Sequence, residues 1–123
     1  MKLIMKFGGT SIADGEKLRH VAELVKSYYK KGNQVVVVTS ALGGVTDDIL
    51  KEAHKASKDG KVSRVKEFIA DLTKQHHAAT NDALGNNRNA EDIIAELDAR
   101  IDETENARNG IYYLGELTLR YID

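Results

Sequence analysis

Lys6, Gly8, Gly9, Thr10 and Ser11 fall together in the hexapeptide Lys6-Phe7-Gly8-Gly9-Thr10-Ser11. An apolar run ends there, two glycines allow a tight backbone turn, and two hydroxyl residues lead toward a helical pattern. Such a turn leaves backbone N–H groups pointing into open space, and aligned N–H groups attract anions by about 0.3–1 kcal/mol per dipole contact. A lysine two residues before the glycines adds a full positive charge at the same mouth. The combination suits a phosphoryl group whose oxygens gain or redistribute negative charge during transfer. It is neither a Walker A motif, because the lysine precedes the glycines, nor GxGxxG. Two readings therefore stand at this point: a phosphate-binding turn, or a plain strand-to-helix turn with a solvated lysine.

A second small-residue turn, Ser40-Ala41-Leu42-Gly43-Gly44-Val45-Thr46, follows the run Val35-Val36-Val37-Val38. Ser40 and Thr46 offer hydroxyl donors, and Gly43-Gly44 permit close backbone approach. Thr46 is also expected to cap a helix that carries Asp47 and Asp48 in its first turn, where the helix dipole favours acid. Capping and ligand binding are compatible, because a cap sits where the dipole is positive. The histidines carry less. His20 and His54 read as surface groups, while His76 and His77 point about 100° apart on a helix and lack an i, i+4 partner, so no metal site is expected.

The elements that position these residues follow from apolar spacing. Residues 3–7 and 35–38 read as buried strands, the second β-branched throughout and expected to be covered on both faces. Between them Leu18, Val21, Ala22, Val25, Tyr28 and Tyr29 recur at helical spacing. Lys30 and Lys31 in the last turn and Gly32-Asn33 beyond end that helix. Strand, helix, strand makes a βαβ unit with parallel strands and a right-handed crossover. In open parallel sheets ligands bind beyond the carboxyl ends of the strands, so both glycine turns are expected on one side, lining one crevice.

Three more helices follow. The first is expected to stop near Gly60. The second, over 62–84, carries Val65, Phe68, Leu72, His76, Ala79 and Ala83 on one stripe, and Gly85-Asn86-Asn87 breaks it. Asn89 with Asp92 resembles a capping box for the last, whose stripe is Ile94, Leu97, Ile101, Arg108, Ile111 and Leu114. Its charge-rich stretch, 98–108, reads as a solvated face. Gly115 interrupts, and Leu117, Leu119, Tyr121 and Ile122 begin a further apolar segment.

Composition narrows the class. Eighteen basic against nineteen acidic residues leave a net charge of −1, which speaks against a nucleic-acid partner. With no cysteine, thiol nucleophiles and disulfides are excluded. No apolar run nears the ~20 residues of a membrane helix. The start MKLIMKFGG has an apolar stretch far shorter than the ~7–15 of a secretory signal, so a cytoplasmic location is expected. The absence of proline leaves helices uninterrupted. Two strands with open edges are too few for a stable parallel sheet, so the chain is expected to be a piece of a larger domain; the alternative is a helical protein that closes on itself or dimerises to bury the valine strand.

KFGGTS at 6–11, the VVVVTSALGGVT strand and turn, and the closing YLGELTLRYID make the chain resemble the N-terminal part of the aspartokinase family, within the amino-acid kinase superfamily. It looks most like the archaeal members, and the likeness covers essentially all 123 residues. The resemblance implies an α/β carbamate kinase-like fold, helix-rich, with parallel strands and flanking helices. Residues 1–123 would be the aspartate-side portion, without the nucleotide lobe or ACT domains.

It further implies transfer of the ATP γ-phosphoryl group to the β-carboxylate of L-aspartate, giving 4-phospho-L-aspartate on the route to lysine, threonine and methionine. Lys6 would be catalytic. Lys6, Phe7, Gly8, Gly9, Thr10 and Ser11 would bind the ATP phosphates, and Ser40, Ala41 and Thr46 the aspartate. Mg²⁺ would take part, but through no residue identifiable in this stretch. Gly115-Glu116-Leu117 only imitates the family's GERLS-type segment, so Glu116 takes no role. The stretch alone is expected to be inactive, and the whole protein a homo-oligomer. Two alternatives stay open: an amino-acid kinase with another acceptor, and a non-catalytic helical interaction module.

Overall fold

The computed structural model describes residues 1–59 and 62–114. The chain runs β1 (Lys2–Phe7), a 3₁₀ turn (Gly9–Ile12), α1 (Gly15–Lys30), β2 (Gln34–Thr39), α2 (Val45–Asp59), α3 (Val62–Leu84) and α4 (Arg88–Leu114). β1 and β2 pair in parallel, from Lys2 opposite Gln34 to Phe7 opposite Thr39. The expected βαβ unit is therefore present, within a helix-rich α/β architecture.

Local chemistry fixes the ends of α1. The Asp14 carboxylate accepts from the Lys17 N–H at 2.9 Å, a side-chain cap for one of the orphan donors at the helix start. Lys30 sits in the last turn, and Gly32 takes φ 88°, the left-handed conformation that glycine reaches without steric cost. The Asn33 side chain closes the end by donating to the Tyr28 carbonyl at 2.9 Å.

Strand alternation sends Leu3, Met5 and Phe7 to the half-buried side of β1 and Lys2, Ile4 and Lys6 to the exposed side. The expectation that β2 is covered on both faces fails. Val36, Val37 and Val38 are 56%, 42% and 44% exposed, and Ile4 is 77% exposed. α1 lies against β2, and among the described residues no element packs on the face that carries Ile4 and Val36.

The principal core lies among the helices instead. Val45, Val65, Ile69, Leu72 and Ile101 form it, with Leu42, Ile49 and Phe68 packed against them. The α3 stripe is as expected, with Val65, Leu72 and Ala79 buried and Phe68, His76 and Ala83 half-buried. His77, at the edge of that stripe, places Nε2 2.6 Å from Asp98 Oδ1 and so ties α3 to α4.

Two caps differ from expectation. α2 begins at Val45 after Gly44 at φ 82°, so Thr46 is an exposed first-turn residue and does not cap. α4 is capped by Asn87, whose side-chain oxygen accepts from the Ala90 N–H at 3.0 Å. Its amide donates to the Leu84 carbonyl, so Asn89 and Asp92 form no box. Asn87 wins because it can close α3 and open α4 at once.

The stretch 98–108 is only partly solvated: Arg108 is 3% exposed. Its guanidinium lies 4.1 Å from the Phe68 ring centre and donates to the Ile49 carbonyl at 2.6 Å. Gly60, the expected stop of α2, lies outside the described residues, as do Gly115, Glu116, Leu117, Leu119, Tyr121 and Ile122, and the side chains of Ile111 and Leu114.

Candidate functional site

The carboxyl ends of β1 and β2 bring the two glycine turns into backbone contact. The Ser40 N–H donates to the Phe7 carbonyl at 3.2 Å, extending the parallel ladder by one bond into the second turn. A Cβ placed on Gly9 would lie 3.4 Å from the Ala41 carbonyl oxygen, and 3.5 Å from both Gly43 Cα and Ser40 Oγ. On Gly43 it would lie 3.0 Å from Ala13 Cβ and 3.2 Å from the Gly9 carbonyl oxygen. Glycine at these positions therefore lets the two main chains pass within contact distance. Residues 8–13 from one strand end and 40–44 from the other thus pack directly against each other.

The first turn keeps its donors open. Gly8 is extended (φ −80°, ψ 174°), and the chain then coils so that the Ser11 N–H bonds the Gly8 carbonyl at 3.0 Å. Among the described residues no protein acceptor takes the N–H groups of Gly8, Gly9 or Thr10. Lys6 is exposed, enters no ion pair among the described residues, and sits opposite Val38 on the open sheet face.

Phe7 points to the other face by strand alternation. With Thr10, Ser11, Asp14, Lys17, His20 and Val21, among others, it lines a cleft of about 550 Å³ against α1. The residues expected at a phosphate thus divide. Lys6 stands on one side of the bend, Thr10 and Ser11 border the cleft on the other, and Gly8 and Gly9 form the bend itself.

In the second turn the Ser40 hydroxyl donates to the Ala41 carbonyl at 2.8 Å, which holds it beside Gly9. Val45 is 4% exposed and anchors the start of α2 in the core, while Thr46, Asp47 and Asp48 remain exposed on the first turn. Asp48 keeps its carboxylate near Gly44, with Oδ2 3.9 Å from the position of a Cβ there.

Two supports were not legible in the sequence. Gly15, the first residue of α1, is buried against α3: a Cβ there would meet the Asp82 side chain and lie 2.7 Å from the Ala79 carbonyl oxygen. Gln75 of α3 donates its side-chain amide to the Gly43 carbonyl at 3.4 Å. Neither has a local signal, because each partner is distant in the chain. Among the described residues no three His, Asp or Glu side chains gather as a metal ligand set.

Comparison with known proteins matches residues 1–111 to the amino acid kinase family. Over 55 residues the chain is 49% identical to a protein named aspartokinase from Mycolicibacterium smegmatis, covering 45% of this chain and 13% of that one. An aspartokinase from Rickettsia felis is 35% identical over 71 residues, covering 58% and 18% respectively. One from Geobacillus stearothermophilus is 46% identical over 55 residues, covering 45% and 14%. The matched stretches thus span less than a fifth of these relatives' lengths.

Proposed function

The chain belongs to the amino acid kinase family, and from that premise we propose that it forms the acceptor-side part of an ATP-dependent aspartate kinase. The observation that carries the reading is the meeting of two glycine turns at adjacent parallel strand ends, with N–H groups at Gly8–Thr10 and a Lys6 amine on the preceding strand that have no partner among the described residues.

In the proposed reaction an oxygen of the aspartate β-carboxylate forms a bond to the γ-phosphorus of ATP. The bond from that phosphorus to the β,γ-bridging oxygen breaks, leaving ADP and 4-phospho-L-aspartate with no net proton transfer. Both reactants are anions, so the need is charge cancellation and alignment rather than a general base. Lys6 would face the transferring oxygens, and the N–H groups of Gly8 and Gly9 would hold the phosphates, with Thr10 and Ser11 shaping the turn. Ser40, Ala41 and Thr46 would border the aspartate. Mg²⁺ would help to cancel the reactants' charge, held by no residue identified among the described side chains. The lysine and threonine routes, a cytoplasmic site of action and homo-oligomeric assembly belong to the same proposal.

The test is a graft in which this chain replaces the matching segment of a full-length aspartokinase, assayed with ATP against aspartate and other carboxylate or carbamate acceptors. Preference for aspartate supports the reading; preference for another acceptor replaces it. The 123-residue chain alone is expected to form no aspartyl phosphate, and measurable formation would refute that part.

A further inference from the structure

We infer that α3 is the brace that sets the spacing of the two glycine turns, with Gln75 as a positioning residue for the second. The inference rests on the proposed phosphate-binding role of those turns but uses different observations. α3 touches the second turn and the start of α1, into which the first turn leads. At one end Ala79 and Asp82 receive Gly15, so the chain leaving the first turn enters α1 with no freedom to slide. One helical turn earlier, Gln75 donates to the Gly43 carbonyl, a bond spanning 32 positions of sequence.

Gly43 is also the residue that presses on Gly9 and Ala13, so the carbonyl that Gln75 holds belongs to the peptide at the centre of the contact. Turning that peptide would move the Gly44 N–H and the start of α2, and it would loosen the seat that Gly9 occupies. Leu72 and Ile69 bury the same helix in the core, which gives the brace a rigid base. Gln75 touches no reacting atom; it acts through the orientation of one peptide group.

The experiment is amide-detected NMR of the full 123-residue chain, titrated with inorganic tripolyphosphate, for wild type, Gln75→Met and Gln75→Ala. Methionine keeps the length and apolar stem but removes the donor, and alanine serves should methionine fail to fold. The expected result is displacement of the Gly43, Gly44 and Gly9 amide signals. Tripolyphosphate affinity should fall roughly three- to tenfold as the turn loses its set orientation, and the lost hydrogen bond should lower the thermal midpoint by only a few degrees. Signals disturbed only on α3, or unchanged affinity in a wild type that binds, would overturn the role of Gln75. A wild type that binds no tripolyphosphate would instead remove the phosphate reading. The brace would then stand or fall on the Gly43, Gly44 and Gly9 signals alone.

Discussion

Lys6 and Gly43 illustrate two ways in which one residue matters. Lys6 is exposed on the sheet face and has no ion-pair partner among the described residues. Lys6→Ala should therefore leave the unfolding midpoint of the chain unchanged. In the grafted kinase it should cost on the order of 10²-fold or more in kcat, the scale of losing a preorganised charge at a transferring group. Steady-state kinetics beside a thermal melt separates the two effects, and equal turnover would remove Lys6 from the chemistry.

Gly43 contributes by what it lacks. A methyl there would press on Ala13 at 3.0 Å and on the Gly9 carbonyl at 3.2 Å, so Gly43→Ala should push the turns apart and cost about 1 kcal/mol, read by denaturant titration. That the two glycine turns end neighbouring strands was legible in the sequence, because each follows an apolar run and residue type marks the bend. Thr46 was legible as a helix-start residue but not as a non-cap. The left-handed Gly44 lets α2 begin two residues sooner, at Val45 rather than Asp47, which turns Thr46 into a first-turn residue.

Elements were legible where their signals were local. The stripe of α3 and the pairing of two apolar strands follow from spacing alone, and both appear. Of the expected α1 stripe, by contrast, Val21 is buried, Leu18 and Val25 are half-buried, and Ala22, Tyr28 and Tyr29 are exposed. What spacing could not show is how the elements press on one another. Gly15 looks like any glycine before a helix, yet α3 leaves no room for a side chain at that point. Gly15→Ala should destabilise by about 1–3 kcal/mol or more, since the colliding atoms include backbone. A thermal midpoint equal to wild type would show that α1 can shift.

Arg108 falls on an apolar stripe, and its burial follows that periodicity rather than its charge. Burial lowers its pKa from the ordinary arginine value, partly offset by the Glu52 carboxylate, and its Nε has no partner among the described residues. A buried cation with an unmet donor is costly, so Arg108→Met should be neutral or stabilising. Arg108→Ala, which also empties the space beside Phe68, should cost about 2–4 kcal/mol. Chemical denaturation of both variants checks the contrast, and a strongly destabilised Arg108→Met would mean that the charge itself holds α2 to α4.

For the molecule as a whole, the principal core sits in the helices while the sheet carries the candidate site. The valines of β2 read as a strand buried on both sides. Yet Ile4, Val36 and Val38 stay largely open to solvent. A sequence shows how apolar a strand is but not which segment covers it. Exposed apolar faces of this kind drive association, so sedimentation of the chain should show concentration-dependent self-association that Val36→Lys reduces. A monomer at all concentrations would contradict it.

The central proposal is that the turns after β1 and β2, with Lys6 on the strand that leads into the first, form one seat for a chain of phosphates. The most direct measurement is the backbone amide footprint of tripolyphosphate on the 123-residue chain at low salt, in wild type and Lys6→Ala. Saturable shifts are predicted, confined to residues 8–11 and 40–46, weakened by added salt and largely lost in the variant. Shifts centred elsewhere, or a footprint that Lys6→Ala leaves intact, would contradict it.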